Sequence, residues 1–205
     1  MMSKERLRKD ILLLRDNLSP LEQEQKSRRI NNILFSSQPY IQAESVFTYL
    51  HFRSEVQTSM LVEKILLDNK RLYVPKVDPV EHTMEAVEIT DPVKDLTIGY
   101  MGIAEPGKDV GKTADSHGEL MDLIVVPGAV FDIKGNRIGY GGGFYDKFFS
   151  KHSGKTFRLA LAYDLQIVSS IPVETHDVPM DCLVSEDNIF FFTDHIYENN
   201  SCIQR

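Results

Sequence analysis

The sequence predicts an α/β fold in which helices cover both faces of a mostly parallel sheet. Segments with helical and strand patterns alternate along the chain, and no Pro/Gly/Ser-rich linker interrupts its 205 residues. The most strand-like stretch, DLIVVPG at residues 122–128, is continuously apolar, which is typical of strands buried on both faces. We therefore expect residues 1–205 to form a single domain.

The first two elements are predicted to be helices. Apolar residues recur at the spacing of one helical face and predict an amphipathic helix over residues 3–17: Leu7, Ile11, Leu14 and Leu18. A second helix is predicted after Ser19, which is placed as an N-cap, with Pro20 in the first turn and Glu22 completing a capping box.

The remaining elements follow from short apolar runs and their flanking residues. Strands are predicted at 45–51, 71–75, 84–89, 122–128 and 157–163, with one or two closing strands at 182–192. Helices are predicted at 59–69, opened by Thr58, and at 144–152. Residues 99–119 are rich in Gly, Asp and Lys, and we expect a long surface loop there.

Composition excludes several classes of protein. The formal net charge is -7, and no basic run occurs beyond the N-terminal helix, so an extended nucleic-acid surface is not expected. The charged N-terminus lacks the apolar core of a signal peptide, and no apolar run is long enough to cross a bilayer. We expect a cytoplasmic protein without a membrane partner, with Cys182 and Cys202 as reduced thiols.

The segment GNRIGYGGGFYDKFF, residues 135–149, combines a glycine-rich stretch with the start of a helix. Backbone without side chains lets a ligand approach closely, and successive N–H groups before a helix form an anion site. We expect the ligand of this site to be a phosphate group. The alternative is a tight turn that needs positive φ angles. Phe144 stands where a dinucleotide fingerprint requires its last glycine, so that motif is excluded.

A second glycine segment, GKDVGKT at residues 107–113, resembles a phosphate-binding P-loop. It has three residues between its glycines where that motif has four, and the following ADSHGEL is a poor helix former. We interpret the segment as surface loop.

Several charged residues are candidate ligands with structural alternatives. Asp146 in the first turn of the helix after the glycines is either a helix-dipole partner or a Mg²⁺ ligand. Lys4 and Arg8 share a helix face and either leave their charges in water or reach a phosphate in a neighbouring cleft. By local sequence alone, Glu55 is a solvated or near-cap residue, and His176 has a structural role.

The chain resembles the 5-formyltetrahydrofolate cyclo-ligases, also called 5,10-methenyltetrahydrofolate synthetases. The residues that carry the resemblance are VPGAVFDIKGNRIGYGGGFYDKF at 126–148, KERLR at 4–8, YLHFRSEVQT at 49–58, GIAEP at 102–106 and PVETHDVPMD at 172–181. They occur in the family's order and span nearly the whole chain. The resemblance implies a three-layer α/β/α fold, related in architecture to sugar-phosphate isomerases and CoA transferases.

The same resemblance implies an ATP-dependent, Mg²⁺-requiring enzyme that converts 5-formyltetrahydrofolate to 5,10-methenyltetrahydrofolate, and we expect a monomer. Arg137 and Tyr145 are implied to be catalytic. The implied ATP-binding residues are Lys4, Arg8, Arg137, Ile138, Gly139, Tyr140, Gly141, Gly142, Gly143, Phe144 and Tyr145. The implied folate-binding residues are Leu50, Glu55, Tyr140, Gly141, Gly142, Gly143 and Phe144, and the implied metal ligands are Asp146 and Asp177.

Some members of the family carry basic residues where this chain has Tyr140 and Gly142. Here the backbone is therefore expected to supply more of the phosphate contacts. Two alternatives have other chemistries: a nucleotide- or folate-binding paralogue without turnover, and a sugar-phosphate isomerase of similar fold. Glu55, Arg137 and Asp146 argue against the first, and no acid/base pair is evident for the second.

Overall fold

The computed structural model describes residues 2–108, 110–111, 113–114, 121–151 and 156–193. A seven-stranded sheet lies at the centre of the described residues. In spatial order its strands are β12 (Ile189–Phe191), β11 (Cys182–Val184), β9 (Phe157–Leu161), β6 (Leu123–Val126), β1 (Ser45–Thr48), β2 (Arg71–Asp78) and β3 (Thr83–Ile89). The five inner strands are parallel, and the two edge strands are antiparallel to their neighbours. The predicted mostly parallel sheet is confirmed.

Helices cover both faces of this sheet. They are α1 (Lys4–Asp16), α2 (Pro20–Phe35), α3 (Gln38–Gln42), α4 (Ser59–Leu67), α5 (Pro92–Asp95) and α6 (Phe144–Lys151). The predicted capping box is present, since Ser19 and Glu22 cap each other's backbone N–H groups. None of the helices in the described ranges is long and apolar enough to cross a membrane.

Strand β6 illustrates why the core lies on both sides of the sheet. Its alternate residues enter two different apolar clusters: Leu123 and Val125 pack with α2 and α4, whereas Ile124 and Val126 pack with Phe148 of α6. All four strand residues are buried. The continuous apolar run of the sequence therefore reflects a strand with no solvated face.

The buried face of α1 differs from the predicted one. Leu14 is 53% exposed, whereas Arg15 is only 4% exposed and Ile11 is 8% exposed. The helix packs through Leu7 and Ile11 against Val130 and Ile138. The buried stripe is therefore rotated toward Arg15, because the neighbouring surface offers polar partners to its guanidinium group.

The predicted surface loop at 99–119 was wrong for part of its length. Strand β5 (Ala104–Pro106) pairs with β4 (Leu96–Ile98), Thr113 forms an isolated bridge to Val87, and Ala114 is buried. Gly111 has φ +73° and lies against the Glu88 carbonyl of edge strand β3. Asp109, Lys112 and residues 115–119 lie outside the described part of the chain, as do His152 and Cys202.

A small second sheet carries the glycine-rich segment. Strand β7 (Val130–Asp132) pairs with β8 (Arg137–Ile138) and with β10 (Ile167–Val168), in the order β10-β7-β8. The hairpin turn is held by the buried Asp132, whose carboxylate accepts from the backbone N–H groups of Lys134 and Asn136. The glycines thus lie between β8 and α6, in the strand-to-helix position that the sequence predicts.

Candidate active site

A narrow cleft opens at the carboxyl ends of the parallel strands β1, β6 and β9. Its lining residues are Arg15, Tyr49, Glu55, Val56, Pro127, Gly128, Tyr140, Leu161 and Gln166. Ligands of open α/β sheets bind at this edge. The cleft brings together the two segments that the sequence singles out, the loop around Glu55 and the glycine loop.

Glu55 is partly buried beside this cleft and is not a solvated surface residue. Its Oε2 accepts from the backbone N–H of Phe52 at 2.9 Å, and Tyr140, whose hydroxyl donates to the Gly128 carbonyl at 3.4 Å, lines the same cleft. Burial raises the pKa of Glu55, while the nearby Tyr140 hydroxyl, the Phe52 N–H and the charge of Arg15 act in the opposite direction. The site holds a carboxylate at a dry, constrained position.

Tyr140 connects the glycine loop to Glu55. Its residue surface is 45% exposed, but its hydroxyl points inward, where Arg15 Nη1 donates to it at 2.6 Å. The Arg15 guanidinium also lies 5.5 Å from the centre of the Tyr140 ring. Burial and the nearby Glu55 raise the pKa of Tyr140, so the phenol is a hydrogen-bond donor at neutral pH.

The glycine loop has the positive φ angles of a tight turn, and phosphate binding by this loop stays a prediction. Gly141 and Gly143 have φ of +101° and +64°, so the turn does need residues without Cβ. At both positions an added Cβ would meet nothing within 4 Å, and Gly141, Gly142 and Gly143 are exposed. The backbone is therefore open to a ligand. Gly142 lies against the Phe144 ring, 2.7 Å from where its Cβ would be.

Arg137 lies under this loop with its side chain only 5% exposed. Its Nη2 donates to Asp146 Oδ1 at 2.7 Å, and its guanidinium lies near the rings of Tyr145 and Phe149. Its Nε is buried and has no hydrogen-bond partner among the described residues. Because an unpaired buried donor is costly, this atom is a candidate contact for a ligand oxygen.

Lys4 and Arg8 reach the same region from α1, although the two residues are distant from it in sequence. Lys4 Nζ lies 2.6 Å from Asp177 Oδ2 and 3.2 Å from Glu174 Oε1. Arg8 Nε donates to the Gly139 carbonyl at 2.7 Å. Burial opposes the charge of Lys4, but the two carboxylates outweigh it and raise its pKa. Arg8 therefore borders the glycine loop, and Lys4 lies beside Asp177.

The charges of Asp146 and Asp177 both act on Arg137. Asp146 pairs with Arg137 directly, so it is more than a helix-dipole partner. Hydrogen bonds from Lys4 and from the Glu174 N–H outweigh burial and lower the pKa of Asp177. No cluster of three or more metal-ligating side chains occurs within the described ranges.

His176 and Asp181, which are close to Asp177 in the sequence, contribute less to this site. The His176 side chain is 68% exposed and lies 3.5 Å from Glu174. Asp181 pairs with Arg158 at 2.9 Å, at the start of β9 and thus at the opposite edge of the sheet.

Four other candidate residues differ in what they can offer a ligand. Leu50 follows β1 and packs against the core with part of its surface exposed. Ile138 is 2% exposed, so only its backbone is available. The ring of Phe144 stacks on His82 at 5.8 Å, and the ring of Tyr145 meets Phe47 edge-on at 6.3 Å.

Sequence reasoning missed Arg15, which lines the cleft and contacts Tyr140. The available signal was its spacing, since Arg15 follows Lys4 by eleven residues and Ile11 by four, and so shares their helix face. A basic residue within the apolar face of a helix indicates that the protein interior offers it a polar partner.

Comparison with known proteins identifies the family. A family model described as the 5-formyltetrahydrofolate cyclo-ligase family matches residues 1–186. The 5-formyltetrahydrofolate cyclo-ligase of Haemophilus influenzae is 31% identical over 184 residues, covering 88% of this chain and 97% of that protein. The mouse 5-formyltetrahydrofolate cyclo-ligase is 30% identical over 185 residues, covering 85% and 91%.

Solved structures share the fold. The 5,10-methenyltetrahydrofolate synthetase of Aquifex aeolicus superimposes with a TM-score of 0.80 at 31% identity, covering 97% of each chain. The synthetase of Mycoplasma pneumoniae, at 21% identity and a TM-score of 0.72, matches in fold over 90% of this chain and 99% of its own. The chain described here belongs to the 5-formyltetrahydrofolate cyclo-ligase family.

Proposed function

We propose that the protein catalyses the ATP-dependent cyclisation of 5-formyltetrahydrofolate to 5,10-methenyltetrahydrofolate, with release of ADP and phosphate. Family membership supports the reaction. The observation that carries the site assignment is the cleft itself, which the partly buried Glu55 and Tyr140 of the glycine loop line together.

The formyl group explains why ATP is needed. N5-formyl is an amide, whose carbonyl carbon is too unreactive for N10 to displace the oxygen. Transfer of the γ-phosphoryl group to the formyl oxygen breaks the bond to ADP and forms an iminium phosphate. The N10 lone pair then attacks the same carbon, N10 loses its proton, and the oxygen leaves as part of inorganic phosphate.

This chemistry requires positioning and charge neutralisation more than a protein nucleophile. The exposed backbone of Gly141, Gly142 and Gly143 can offer N–H groups to the triphosphate. Lys4 and Arg8 supply positive charge at the rim of the loop. The positive charges and backbone N–H groups of this region thus fit a polyanion. Because phosphoryl transfer needs no protein nucleophile, we assign no Ser/His or Cys/His pair to the reaction.

Arg137 and Tyr145 are the residues we assign to the transfer itself. The unpartnered Nε of Arg137 can bond the oxygen that gains charge as the phosphoryl group moves. Its ion pair with Asp146 and its contact with the Tyr145 ring hold the guanidinium in one orientation. Burial raises the pKa of Tyr145, so its hydroxyl stays protonated and can donate.

The folate end is assigned to Glu55 and Leu50. An ionised carboxylate can accept two hydrogen bonds from the amino-pyrimidine edge of a pterin. Glu55 follows β1 at the carboxyl edge of the sheet, and the Phe52 N–H already fixes one of its oxygens. Leu50 offers an apolar contact beside it.

Asp146 and Asp177 are suited to hold Mg²⁺ that arrives with the nucleotide. Magnesium is usually held in proteins by one or two carboxylates, while phosphate oxygens and water complete its shell. The ion would neutralise charge on the transferred phosphoryl group. The two aspartates otherwise orient Arg137 and Lys4.

The direct test is an assay of purified protein with 5-formyltetrahydrofolate, with and without Mg·ATP. We expect the methenyl chromophore to appear only with ATP, with one ADP released per turnover, and chelation of Mg²⁺ to stop it. Product without nucleotide would contradict the assignment. Binding of both ligands without ADP release would identify a non-catalytic paralogue.

A further inference from the structure

Arg15 is a buried cation for which the proposed reaction has no role so far. Its residue surface is 4% exposed, and its hydrogen-bond partners among the described residues are neutral: Nε donates to Ser54 Oγ at 3.0 Å and Nη1 donates to the Tyr140 hydroxyl at 2.6 Å. Burial of a cation without a direct ion pair is costly. A residue kept there at such a cost is expected to act on its surroundings.

Its partners belong to two segments that converge on the cleft. Ser54 is adjacent to Glu55 in the loop after β1, and Tyr140 lies within the glycine loop. Ser54 in turn donates to Asp16, which lies beside Arg15 on α1. One guanidinium group therefore fixes the position of both loops relative to each other.

We propose that Arg15 is a positioning residue for folate, holding the Glu55 carboxylate and the Tyr140 hydroxyl in the arrangement that binds the pterin edge. The proposal rests on the proposed function and adds a residue to it. Arg15 acts through Glu55 and Tyr140, and no contact between Arg15 and substrate is required.

The charges around Glu55 give this role a measurable consequence. The groups that face it are Arg15 from α1, the Phe52 N–H of its own loop, and the tyrosines of four segments: Tyr49, Tyr140, Tyr145 and Tyr163. Arg15 is the cation among those described residues. Burial raises the pKa of Glu55 and the charge of Arg15 lowers it. Without that charge, Glu55 binds a proton at a higher pH.

A protonated Glu55 cannot accept two hydrogen bonds from the pterin. Folate affinity of a variant without the Arg15 charge should therefore weaken as pH falls, because the carboxylate becomes protonated, and recover as pH rises. In the wild-type protein the Arg15 charge lowers the pKa of Glu55, so the same loss of folate affinity occurs at a lower pH. A purely structural role of Arg15 would weaken binding equally at both pH values.

The experiment measures the equilibrium dissociation constant of 5-formyltetrahydrofolate for wild type, Arg15→Met and Arg15→Lys at about pH 6 and about pH 8.5. We expect the Met-to-wild-type ratio of dissociation constants to be up to about tenfold larger at the lower pH, since ionisation falls tenfold per unit below a pKa. Arg15→Lys keeps the charge, so its ratio should change little with pH.

Arg158→Met is the matched control, because it removes a different partly buried arginine that pairs with Asp181 at the other edge of the sheet. It should lower stability and leave the pH dependence of folate binding as in wild type. A Met-to-wild-type ratio that does not depend on pH would overturn the proposal.

A second readout separates this proposal from the proposed function. The carbon-13 carboxyl shift of Glu55 in the ligand-free protein should titrate at higher pH in Arg15→Met than in wild type. If wild type fails to bind 5-formyltetrahydrofolate, the proposed function fails, whereas an unshifted Glu55 titration refutes the role of Arg15. If Arg15→Met does not fold, Arg15→Gln and Arg15→Lys are compared by the same two measurements, and equal titration in both refutes it.

Discussion

Arg137 and Asp146 form an ion pair in which Nη2 donates to Oδ1 at 2.7 Å, with the arginine side chain 5% exposed and the aspartate 27% exposed. The aspartate thus neutralises a buried cation beneath the glycine loop. It is also one of the two carboxylates proposed to hold Mg²⁺. Asp146 therefore has two roles: it pairs with Arg137, and it is proposed to bind the metal.

Asp146→Asn should therefore raise the Mg²⁺ concentration for half-maximal rate and also lower stability. Loss of a charge-assisted hydrogen bond costs about 1.5–3 kcal/mol, more than a helix-dipole partner alone. Metal titration of the rate and a melting curve measure the two effects. Asp91→Asn is the control, since Asp91 pairs with the exposed Lys94 away from the site. An unchanged metal dependence with lowered stability would leave Asp146 with only its structural role.

Gly141→Ala should impair ATP use through the loop backbone. Gly141 has φ +101° and open space around its Cβ position, so the change introduces left-handed strain without a clash. Gly102 has φ +81°, equally open surroundings and no contact with the cleft, which makes Gly102→Ala the matched control. Each should cost about 1–2 kcal/mol of stability. Only Gly141→Ala should weaken ATP in equilibrium binding, and equal ATP binding in both variants would contradict a phosphate-binding loop.

Glu55→Gln should weaken folate binding selectively. The amide replaces one acceptor oxygen with a donor that faces the pterin's own N–H, a loss of about 1.5–3 kcal/mol or more. That corresponds to a roughly ten- to hundred-fold higher dissociation constant. Glu63→Gln, at an exposed position of α4, is the control. Nucleotide affinity should barely move, and parallel loss of ATP and folate binding would indicate general damage to the cleft.

Asp177→Asn should alter the acid stability of the protein. The hydrogen bond from Lys4 and that from the Glu174 N–H outweigh burial and lower the pKa of Asp177 from its ordinary value of 3.8. A lowered folded-state pKa adds stability above the unfolded value, and this stability is lost as pH falls through the folded value. The difference in melting temperature between wild type and variant should therefore be full above about pH 5 and vanish in stronger acid. A difference independent of pH would contradict the ion pair.

Local patterns were sufficient for the elements with strong signals. The capping box of Ser19 and Glu22, the apolar strand at 123–126 and the glycine loop before α6 were all predicted where they occur. Each depends on residues within a few positions of one another, so the sequence contains the whole interaction. The strands β4, β5, β7 and β8 were missed because each has only two or three residues.

The loop at 99–119 shows the limit of composition. Its Gly, Asp and Lys residues predicted solvated chain, but Thr113 bridges to Val87 and Ala114 is buried. Pairing with an edge strand satisfies backbone groups regardless of side-chain polarity. Such pairing depends on where β3 lies and not on the loop's own pattern.

The sequence by itself determined the fold class, the strand-to-helix position of the glycines and the family resemblance, because these follow from local periodicity and from motif order. Tertiary structure decided which residues meet. Lys4 contacts Asp177 across 173 positions, and Arg15 contacts Tyr140 across 125. Those contacts depend on how α1 is rotated against the β7–β8 hairpin, which buries Arg15 and exposes Leu14. Helical periodicity gives the width of a buried stripe, but the partner's shape and polar groups select which residues lie at its centre.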